Sequence, residues 1–257
     1  MDPIEGLLGR FHTEGYLVLP GALAPVEVAR VRAGVERAFA EPSTDGYGEA
    51  IRVRMFERGP EFEELIDHPA IAPVMEAILG QDCHLIAQNA LMTGPGQSVA
   101  SGFHADDVVR VPIPAGVALD PRIAMPCFVV NMNLYLCDVD EAVGPTEAVP
   151  GSHRSGRQPG PEDMGPDGRP SYEGRGPVPL TGTAGTAVLW HDQVWHRGAP
   201  NRSADRVRLV QQGSYGRRFV AQRFYPFVNY RLPGGILERA TERRRRMLGL
   251  HPRGAYG

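Results

Sequence analysis

The stretch that decides the fold of this chain is Gly102-Phe103-His104-Ala105-Asp106-Asp107. Side chains alternate between the two faces of a β-strand, so His104 and Asp106 are predicted to point the same way, while Asp107 points to the other face. One imidazole and one carboxylate are two thirds of the facial site in which two histidines and a carboxylate hold a metal and leave its remaining positions open. The stretch therefore predicts a metal site on a strand within 98–106, completed by a distant histidine.

The third ligand is predicted to come from Trp190-His191-Asp192-Gln193-Val194-Trp195-His196, which offers two histidines. His196 is favoured because a turn rich in Gly, Pro and Asn follows it and arginines then enter a strand. The planar guanidinium of arginine can hold a carboxylate through two hydrogen bonds. Arg206 and Arg208 both qualify, and strand alternation predicts that they share one face. His191 remains the alternative ligand.

Composition, charge and missing motifs exclude several classes of protein. The chain has 257 residues, of which 42% are hydrophobic and 22% are charged, which suits one globular domain over residues 1–257. The formal net charge of −3 gives no reason to expect a nucleic-acid partner. All 27 basic residues are arginine, which excludes a lysine Schiff base and a phosphate loop that ends in Gly-Lys. The sequence also lacks the GxSxG, HExxH and GxGxxG motifs.

The expected location is the cytoplasm, without a membrane partner. The chain opens without a basic region followed by an apolar run, and no stretch approaches the roughly 18 apolar residues of a membrane span. Its three cysteines form neither a CxxC pair nor an even set, which suits a reducing compartment.

Periodicity predicts a β-rich middle between helices, which favours a sandwich or barrel. Two insertions, 110–126 and 155–179, are long enough to be lids or binding loops. Helical spacing predicts a helix over 25–40, one or two helices over 61–79 and a closing helix over 236–248. Short runs of strand-forming residues, separated by Gly and Pro, predict strands at 16–19, 51–56, 84–92, 98–106, 127–137, 186–191 and 207–215.

Three blocks, in this order, resemble the phytanoyl-CoA dioxygenase family of Fe(II)- and 2-oxoglutarate-dependent oxygenases. They are FHADD (103–107), GPTEAVPGSHR (144–154) and VWHRGAPNRSADRVR (194–208). The opening FHTEGYLVLPGALAPVEVARVR (11–32) is similar to the strand and helix with which that family begins, and the resemblance covers most of residues 10–230. It implies a β-rich α+β fold, a double-stranded β-helix (a jelly-roll or cupin-like barrel) with flanking helices.

The resemblance also implies a ligand set and cofactors. It makes His104, Asp106 and His196 the ligands of Fe(II), with 2-oxoglutarate and O2 as cosubstrates. The family's arginine for the far carboxylate of 2-oxoglutarate usually falls eleven residues after the distal histidine. That position here is Val207, between two arginines, and a one-residue insertion in the preceding turn would restore Arg208, which we prefer over Arg206.

Three further cofactor contacts are predicted. Thr146, in the GPT turn, matches a position that often touches the cosubstrate in the resembling family. Gln88 and Asn133 lie on strands that should line the barrel, so both are candidate 2-oxoglutarate contacts.

The resemblance implies a reaction class and leaves the outcome open. Related halogenases carry Ala or Gly where Asp106 stands, so hydroxylation is expected here, while oxidative cyclisation, desaturation and epimerisation use the same iron site. A small natural-product intermediate, as in antibiotic biosynthesis, is the expected substrate. The alternatives are a cupin-like metalloenzyme that does not use 2-oxoglutarate and a non-catalytic binding protein on the same fold.

Overall fold

The structure is a computed structural model that describes residues 3–43, 48–99, 102–106, 111–114, 117, 120, 122–224 and 230–252. Its helices are α1 (Pro3–Glu14), α2 (Pro25–Ala40), α3 (Pro60–Ile66), α4 (Ala72–Leu79), α5 (Gly234–Arg239) and α6 (Glu242–Met247). Its strands are β1 (Tyr16–Leu19), β2 (Ile51–Val53), β3 (His84–Thr93), β4 (Val129–Tyr135), β5 (Thr146–Ala148), β6 (Val178–Leu180), β7 (Ala187–His191), β8 (His196–Gly198) and β9 (Arg208–Gly216).

The strands form two antiparallel sheets. The larger sheet has six strands in the order β1-β7-β4-β9-β3-β2, and the smaller has three in the order β6-β5-β8. Strand β9 lies at the centre of the larger sheet, where it pairs with β3 on one side and β4 on the other. Within the part of the chain that the structure describes, the two sheets remain separate and do not close into one barrel.

Alternation along the strands divides the interior into two layers. On β4 and β9, Met132 and Leu209 point to the helices and join the core that α2, α3 and α4 complete. Tyr135 and Val210, which have the opposite phase on these strands, point to the smaller sheet and pack with Ala148 of β5. The larger sheet thus lies between helices on one face and the smaller sheet on the other, and polar side chains on its second face open into the space between the sheets.

Helix α2 shows why the helical layer forms where periodicity predicts it. Pro25 occupies the first turn, and the Glu27 carboxylate accepts a hydrogen bond from the Ala24 N–H at 2.8 Å, which satisfies one free donor of the helix start. Val28, Val31 and Val35 form the buried stripe that packs on the sheet.

The predicted helix over 25–40 and the predicted strands at 16–19, 84–92, 127–137, 186–191 and 207–215 are confirmed, with shifts of one to two residues at several ends. Residues 61–79 form two helices, α3 and α4, as one of the two predicted arrangements. Strands β6 and β8 were not predicted.

Two predicted strands differ from the structure. Strand 51–56 ends at Val53, because Arg54 takes a left-handed conformation (φ 51°) and a 3-10 turn over Met55–Glu57 follows. Residues 98–99 and 102–106 form no strand. Their single β-bridge joins His104 to His196.

The closing helix over 236–248 is two short helices. The chain extends at Ala240 (ψ 133°), and the Thr241 hydroxyl then accepts a hydrogen bond from the Arg244 N–H at 3.0 Å, which starts α6. Asp107 and part of the 110–126 insertion lie outside the described residues.

Candidate metal centre

A cavity opens between the two sheets, with about 670 Å³ of space counting its mouth. His104, Asp106 and His196 lie along its wall together with Arg208 and Thr146. These residues come from a loop, from both sheets and from widely separated parts of the chain. The cavity is therefore the place where the chemistry-bearing residues of the sequence meet.

The three predicted ligands come together at one end of this cavity. One ligand atom from each of His104, Asp106 and His196 lies within 4.8 Å of the other two. Each histidine Nε2 is 3.8 Å from an oxygen of the Asp106 carboxylate. The two histidines are opposite each other in the β-bridge, where His104 N–H donates to His196 O at 3.0 Å and His196 N–H donates to His104 O at 2.9 Å.

Both histidines present Nε2 as the metal-binding atom. Nδ1 of His104 is 2.9 Å from the carbonyl of Gly102, and Nδ1 of His196 is 2.9 Å from the carbonyl of Val194. A carbonyl only accepts, so each Nδ1 carries the hydrogen and each Nε2 keeps its lone pair. Burial lowers the pKa of His196 against the opposing effect of Asp106, which favours the neutral, ligating imidazole. This donor set fits a ferrous ion.

The Asp106 carboxylate is oriented by a chain of side chains that the sequence analysis missed. Asn131 Nδ2 donates to Asp106 Oδ2 at 2.6 Å, and Ser214 Oγ donates to Asn131 Oδ1 at 2.6 Å. The backbone N–H of Asp106 also donates to the carbonyl of Asp192 at 2.8 Å. Alternation could have found both residues, because Asn131 shares a strand face with Asn133 and Ser214 shares one with Arg208.

His191, the alternative ligand, lies away from this centre. It is the last residue of β7 and its ring stacks on Phe11, with centroids 6.0 Å apart and planes at 20°. One of its ring nitrogens lies instead within 4.8 Å of possible ligand atoms of Cys127 and Asp192, and all three residues are buried. Burial lowers the pKa of His191 to about 3 and raises that of the Cys127 thiol well above its usual value. The His191 ring packs between Phe11 and His153, whose ring centroids are 6.0 and 5.0 Å away, as a structural histidine does.

The two candidate arginines lie in different places. Arg208 begins β9, is buried against the cavity and donates from Nη1 to the carbonyl of Gly144. Arg206 is exposed and its guanidinium holds both oxygens of Asp140 at 2.8 and 2.9 Å. The prediction that the two share one strand face is wrong, because Arg206 lies in the turn before the strand begins. The Arg206 carbonyl accepts a hydrogen bond from Asn201 Nδ2 at 2.7 Å in that turn.

Gly144 allows the close approach that this arrangement needs. Its φ is +80°, and a Cβ there would lie 2.3 Å from the carbonyl oxygen of Ala199. A side chain at position 144 is therefore excluded by both conformation and space.

Two of the three further predicted contacts line the cavity and one does not. Thr146 Oγ1 accepts a hydrogen bond from Asn133 Nδ2 at 3.0 Å, and both residues face the cavity. Gln88 faces the helices instead and donates from Nε2 to the carbonyl of Phe62 at 2.8 Å. The prediction that Gln88 lines the cavity is wrong. Leu91, three residues further along the same strand, faces the cavity, so Gln88 points to the opposite face of the sheet.

The chain is similar in sequence to known oxygenases. The sequence model of phytanoyl-CoA dioxygenase (PhyH) matches residues 11–210. L-proline trans-4-hydroxylase from Streptomyces griseoviridis is 27% identical over 238 residues, which cover 81% of this chain and 84% of that enzyme. Ectoine dioxygenase from Stutzerimonas stutzeri (strain A1501) is 28% identical over 158 residues, 58% of this chain and 50% of that protein.

Solved structures share the fold. The epimerase SnoN in complex with Fe3+, alpha ketoglutarate and nogalamycin RO superposes with a TM-score of 0.64 and 24% identity over 90% of both chains. HygX from Streptomyces hygroscopicus, with nickel and 2-oxoglutarate bound, superposes with a TM-score of 0.62 and 20% identity over 84% of this chain and 87% of that one.

Taken together, these findings define an enzyme of the class that uses Fe(II), 2-oxoglutarate and O2. The chain belongs to the phytanoyl-CoA dioxygenase family. Among the helices of the described residues, none has the length and apolar character that crossing a membrane requires.

Proposed function

We propose that His104, Asp106 and His196 hold the ferrous ion, that Arg208 binds the far carboxylate of 2-oxoglutarate, and that the enzyme oxidises a C–H bond of a small natural-product intermediate, by hydroxylation or by a related cyclisation, desaturation or epimerisation. The observation that carries the proposal is the convergence of two Nε2 lone pairs and one oriented carboxylate within 4.8 Å at the wall of a cavity. Three protein ligands on one side leave the other side of the ion to cosubstrate and O2.

The protein's own residues hold the metal ligands in position. When bound, iron, 2-oxoglutarate and O2 supply the oxidation of the substrate, with succinate and carbon dioxide as coproducts. The carbonyls of Gly102 and Val194 keep both histidines in one tautomer, and Asn131 keeps the Asp106 carboxylate turned toward them. Trp190, whose ring centroid is 5.3 Å from that of His196, gives the cavity wall an aromatic surface beside this ligand.

Arg208 supports the use of 2-oxoglutarate rather than of a metal alone. Its side chain is buried, its Nε has no hydrogen-bond partner, and no carboxylate among the described residues forms an ion pair with it. A buried guanidinium without a counter-charge is costly, and burial lowers its pKa. A dicarboxylate bound at the metal would bring that counter-charge, with Thr146 and Asn133 as neighbouring polar contacts. This favours the oxygenase over a cupin-like enzyme that does not use 2-oxoglutarate.

The proposed substrate class rests on the relatives. Proteins of this fold include an epimerase from nogalamycin biosynthesis and HygX, which has been solved with hygromycin B, and the sequence relatives act on L-proline and ectoine by their names. We infer a small metabolite of specialised metabolism. Turnover assays that measure succinate would contradict this if only a primary metabolite or an acyl-CoA were oxidised.

The fold and the setting complete the proposal. Two facing antiparallel sheets with helices outside, shared with enzymes of this class, support a double-stranded β-helix formed by one domain over 1–257. Three free cysteines support a cytoplasmic location. The net charge of −3 gives no reason to expect a nucleic-acid partner.

The decisive experiment is an anaerobic titration. Adding Fe(II) and then 2-oxoglutarate to the protein should produce the weak visible charge-transfer band of a chelated 2-oxoglutarate. His196→Ala should abolish the band, because one of three ligands is lost, whereas His191→Asn should retain it. Iron binding without any band would support the cupin-like alternative, and retained partner binding without turnover would support a non-catalytic protein.

A further inference from the structure

One residue, Ala105, separates two of the proposed ligands, and a side chain rather than a strand holds its backbone. The Ala105 N–H donates to Gln158 Oε1 and Gln158 Nε2 donates to the Ala105 carbonyl, both at 2.6 Å. One amide thus pairs with both backbone groups of this residue, as a neighbouring strand would. Gln158 belongs to the 155–179 insertion, for which the sequence suggested a lid or binding loop.

Gln158 acts from behind the ligands. The Ala105 side chain points away from the cavity into a small apolar cluster with Val149 and Trp195. Gln158 itself is absent from the described lining of the cavity. Its position suits the support of the metal ligands.

The residue before Gln158 is fixed to the residue before His196. Trp195 Nε1 donates to the Arg157 carbonyl at 2.7 Å, and the Arg157 guanidinium lies over the Trp195 ring at 5.2 Å from its centroid. Asp163 accepts from Arg157 Nη2 at 2.8 Å and from the Gly160 N–H at 2.7 Å, which closes this part of the insertion on itself. Gln158 is therefore presented by a rigid local structure.

These contacts complete a ring around the metal centre. The ring runs from His196 through Trp195, Arg157 and Gln158 to Ala105, and the β-bridge between His104 and His196 closes it. The segments that carry the ligands are thus joined by the bridge, by the bond from the Asp106 N–H to the Asp192 carbonyl, and through the insertion. Without Gln158, both backbone groups of the residue between the two ligands would lose their partner.

We propose that Gln158 is a positioning residue that fixes the 104–106 segment against His196 and thereby sets the affinity of the enzyme for Fe(II). The inference rests on the proposed function, because it takes these three residues as the ligands. It gives the 155–179 insertion a structural task at the metal in addition to any role at the mouth of the cavity.

The first arm of the test uses the metal-free protein. In Gln158→Ala, amide hydrogen exchange at Ala105, followed by NMR, should be at least about 10-fold faster than in the unmodified protein, because its acceptor is gone. The amide of Asp106, which donates to the Asp192 carbonyl, is the internal reference. An unchanged exchange rate at Ala105 would overturn the proposal, whatever the metal does.

The second arm measures the Fe(II) dissociation constant by anaerobic titration. Gln158→Glu keeps the shape and the acceptor for the Ala105 N–H but cannot donate to the Ala105 carbonyl, so we expect affinity to fall by about 10-fold, and by up to about 100-fold for Gln158→Ala. Gln88→Glu is the matched control: it makes the same change at a buried glutamine that donates to the Phe62 carbonyl, away from the metal. It should lower the thermal midpoint and leave iron affinity unchanged.

The two arms separate two kinds of failure. If the unmodified protein binds no Fe(II), the proposed function fails, and the exchange rates still decide whether Gln158 holds the segment. If exchange at Ala105 accelerates but both Gln158 variants bind Fe(II) as tightly as the unmodified protein, the segment is held by Gln158 without consequence for the metal, and the proposal is wrong.

Discussion

The two ends of the cavity are built in different ways. At the arginine end, Arg208 belongs to a nine-residue strand that pairs on both sides, with β3 and with β4, so its direction follows from the sheet register. At the metal end, His104 and Asp106 lie outside any strand of the described chain and touch the smaller sheet through one bridge. Side chains such as Asn131 hold them in place. The sheet register therefore fixes one end, whereas a few isolated backbone bonds and specific side-chain contacts fix the other.

The largest expected effect is at the metal end. Asp106→Ala should reduce Fe(II) binding and succinate formation below detection, since it removes the one anionic ligand and leaves two neutral imidazoles. Isothermal titration under anaerobic conditions measures the binding, and circular dichroism verifies the fold. The control is Asp140→Ala, which removes the exposed carboxylate that pairs with Arg206. This variant should behave like the unmodified protein. Wild-type iron affinity in Asp106→Ala would remove this residue from the site.

The second prediction tests the arginine end separately. Arg208→Gln should raise the KM for 2-oxoglutarate by roughly 100-fold, or about 2.7 kcal/mol, with little change in the Fe(II) dissociation constant. Arg206→Gln removes the same group from the adjacent turn and should change the KM by less than about twofold, because its pair with Asp140 is exposed. Equal effects of the two variants on the KM would contradict the assignment of 2-oxoglutarate binding to Arg208 rather than Arg206.

A smaller effect is expected from the side chain that orients Asp106. Asn131→Ala should weaken Fe(II) binding by about 10-fold and leave the KM for 2-oxoglutarate within about twofold, because the lost hydrogen bond is to a ligand and not to the cosubstrate. Asn89→Ala is the control, since Asn89 bonds Gln212 at 3.3 Å and touches none of the three ligands. A selective rise in the KM for 2-oxoglutarate in Asn131→Ala would show that the two ends are not independent.

The last prediction concerns stability and no metal ligand. Burial lowers the pKa of both His153 and His191 to about 3. Because the unfolded chain binds these protons from about pH 6.5 downward and the folded chain does not, stability should fall as the pH drops from 7 to 5, by about 2 kcal/mol for each histidine. Urea unfolding at several pH values measures this slope.

A matched variant isolates one of the two histidines. His153→Gln can still donate to the His12 carbonyl, which lies 3.1 Å from His153 Nε2, but it has no proton to gain. It should therefore reduce the loss of stability between pH 7 and 5 by about 2 kcal/mol. An unchanged slope would assign the acid sensitivity to other groups.

Local pattern was enough to predict helix α2, the main strands of the larger sheet and the pair of donors two residues apart. These features depend on alternation, helical spacing and turn residues, which are written in neighbouring positions. The prediction of His196 over His191 used a further local signal, the turn and arginines that follow, and the structure groups His196 with His104 and Asp106.

The prediction was wrong where phase or length depended on distant partners. Gln88 faces α3 because the pairing of β3 with β9, which has an irregularity between Leu85 and Ala87, sets which residues face the cavity. Arg206 is outside because Asn201 and the turn that it stabilises delay the start of β9. Single-sequence pattern contains neither the bulge nor that delay.

The sequence by itself determined the kinds of donor, their order along the chain and the family resemblance, because each is a property of residue identity and near spacing. Only the tertiary structure decided which atoms meet: the Nε2 atoms turned inward by two carbonyls, the carboxylate turned by Asn131, and the Ala105 backbone paired with Gln158 from an insertion some fifty residues away. Contacts between residues far apart in the chain form only when the sheets and helices bury their apolar faces together, and no local pattern encodes that packing.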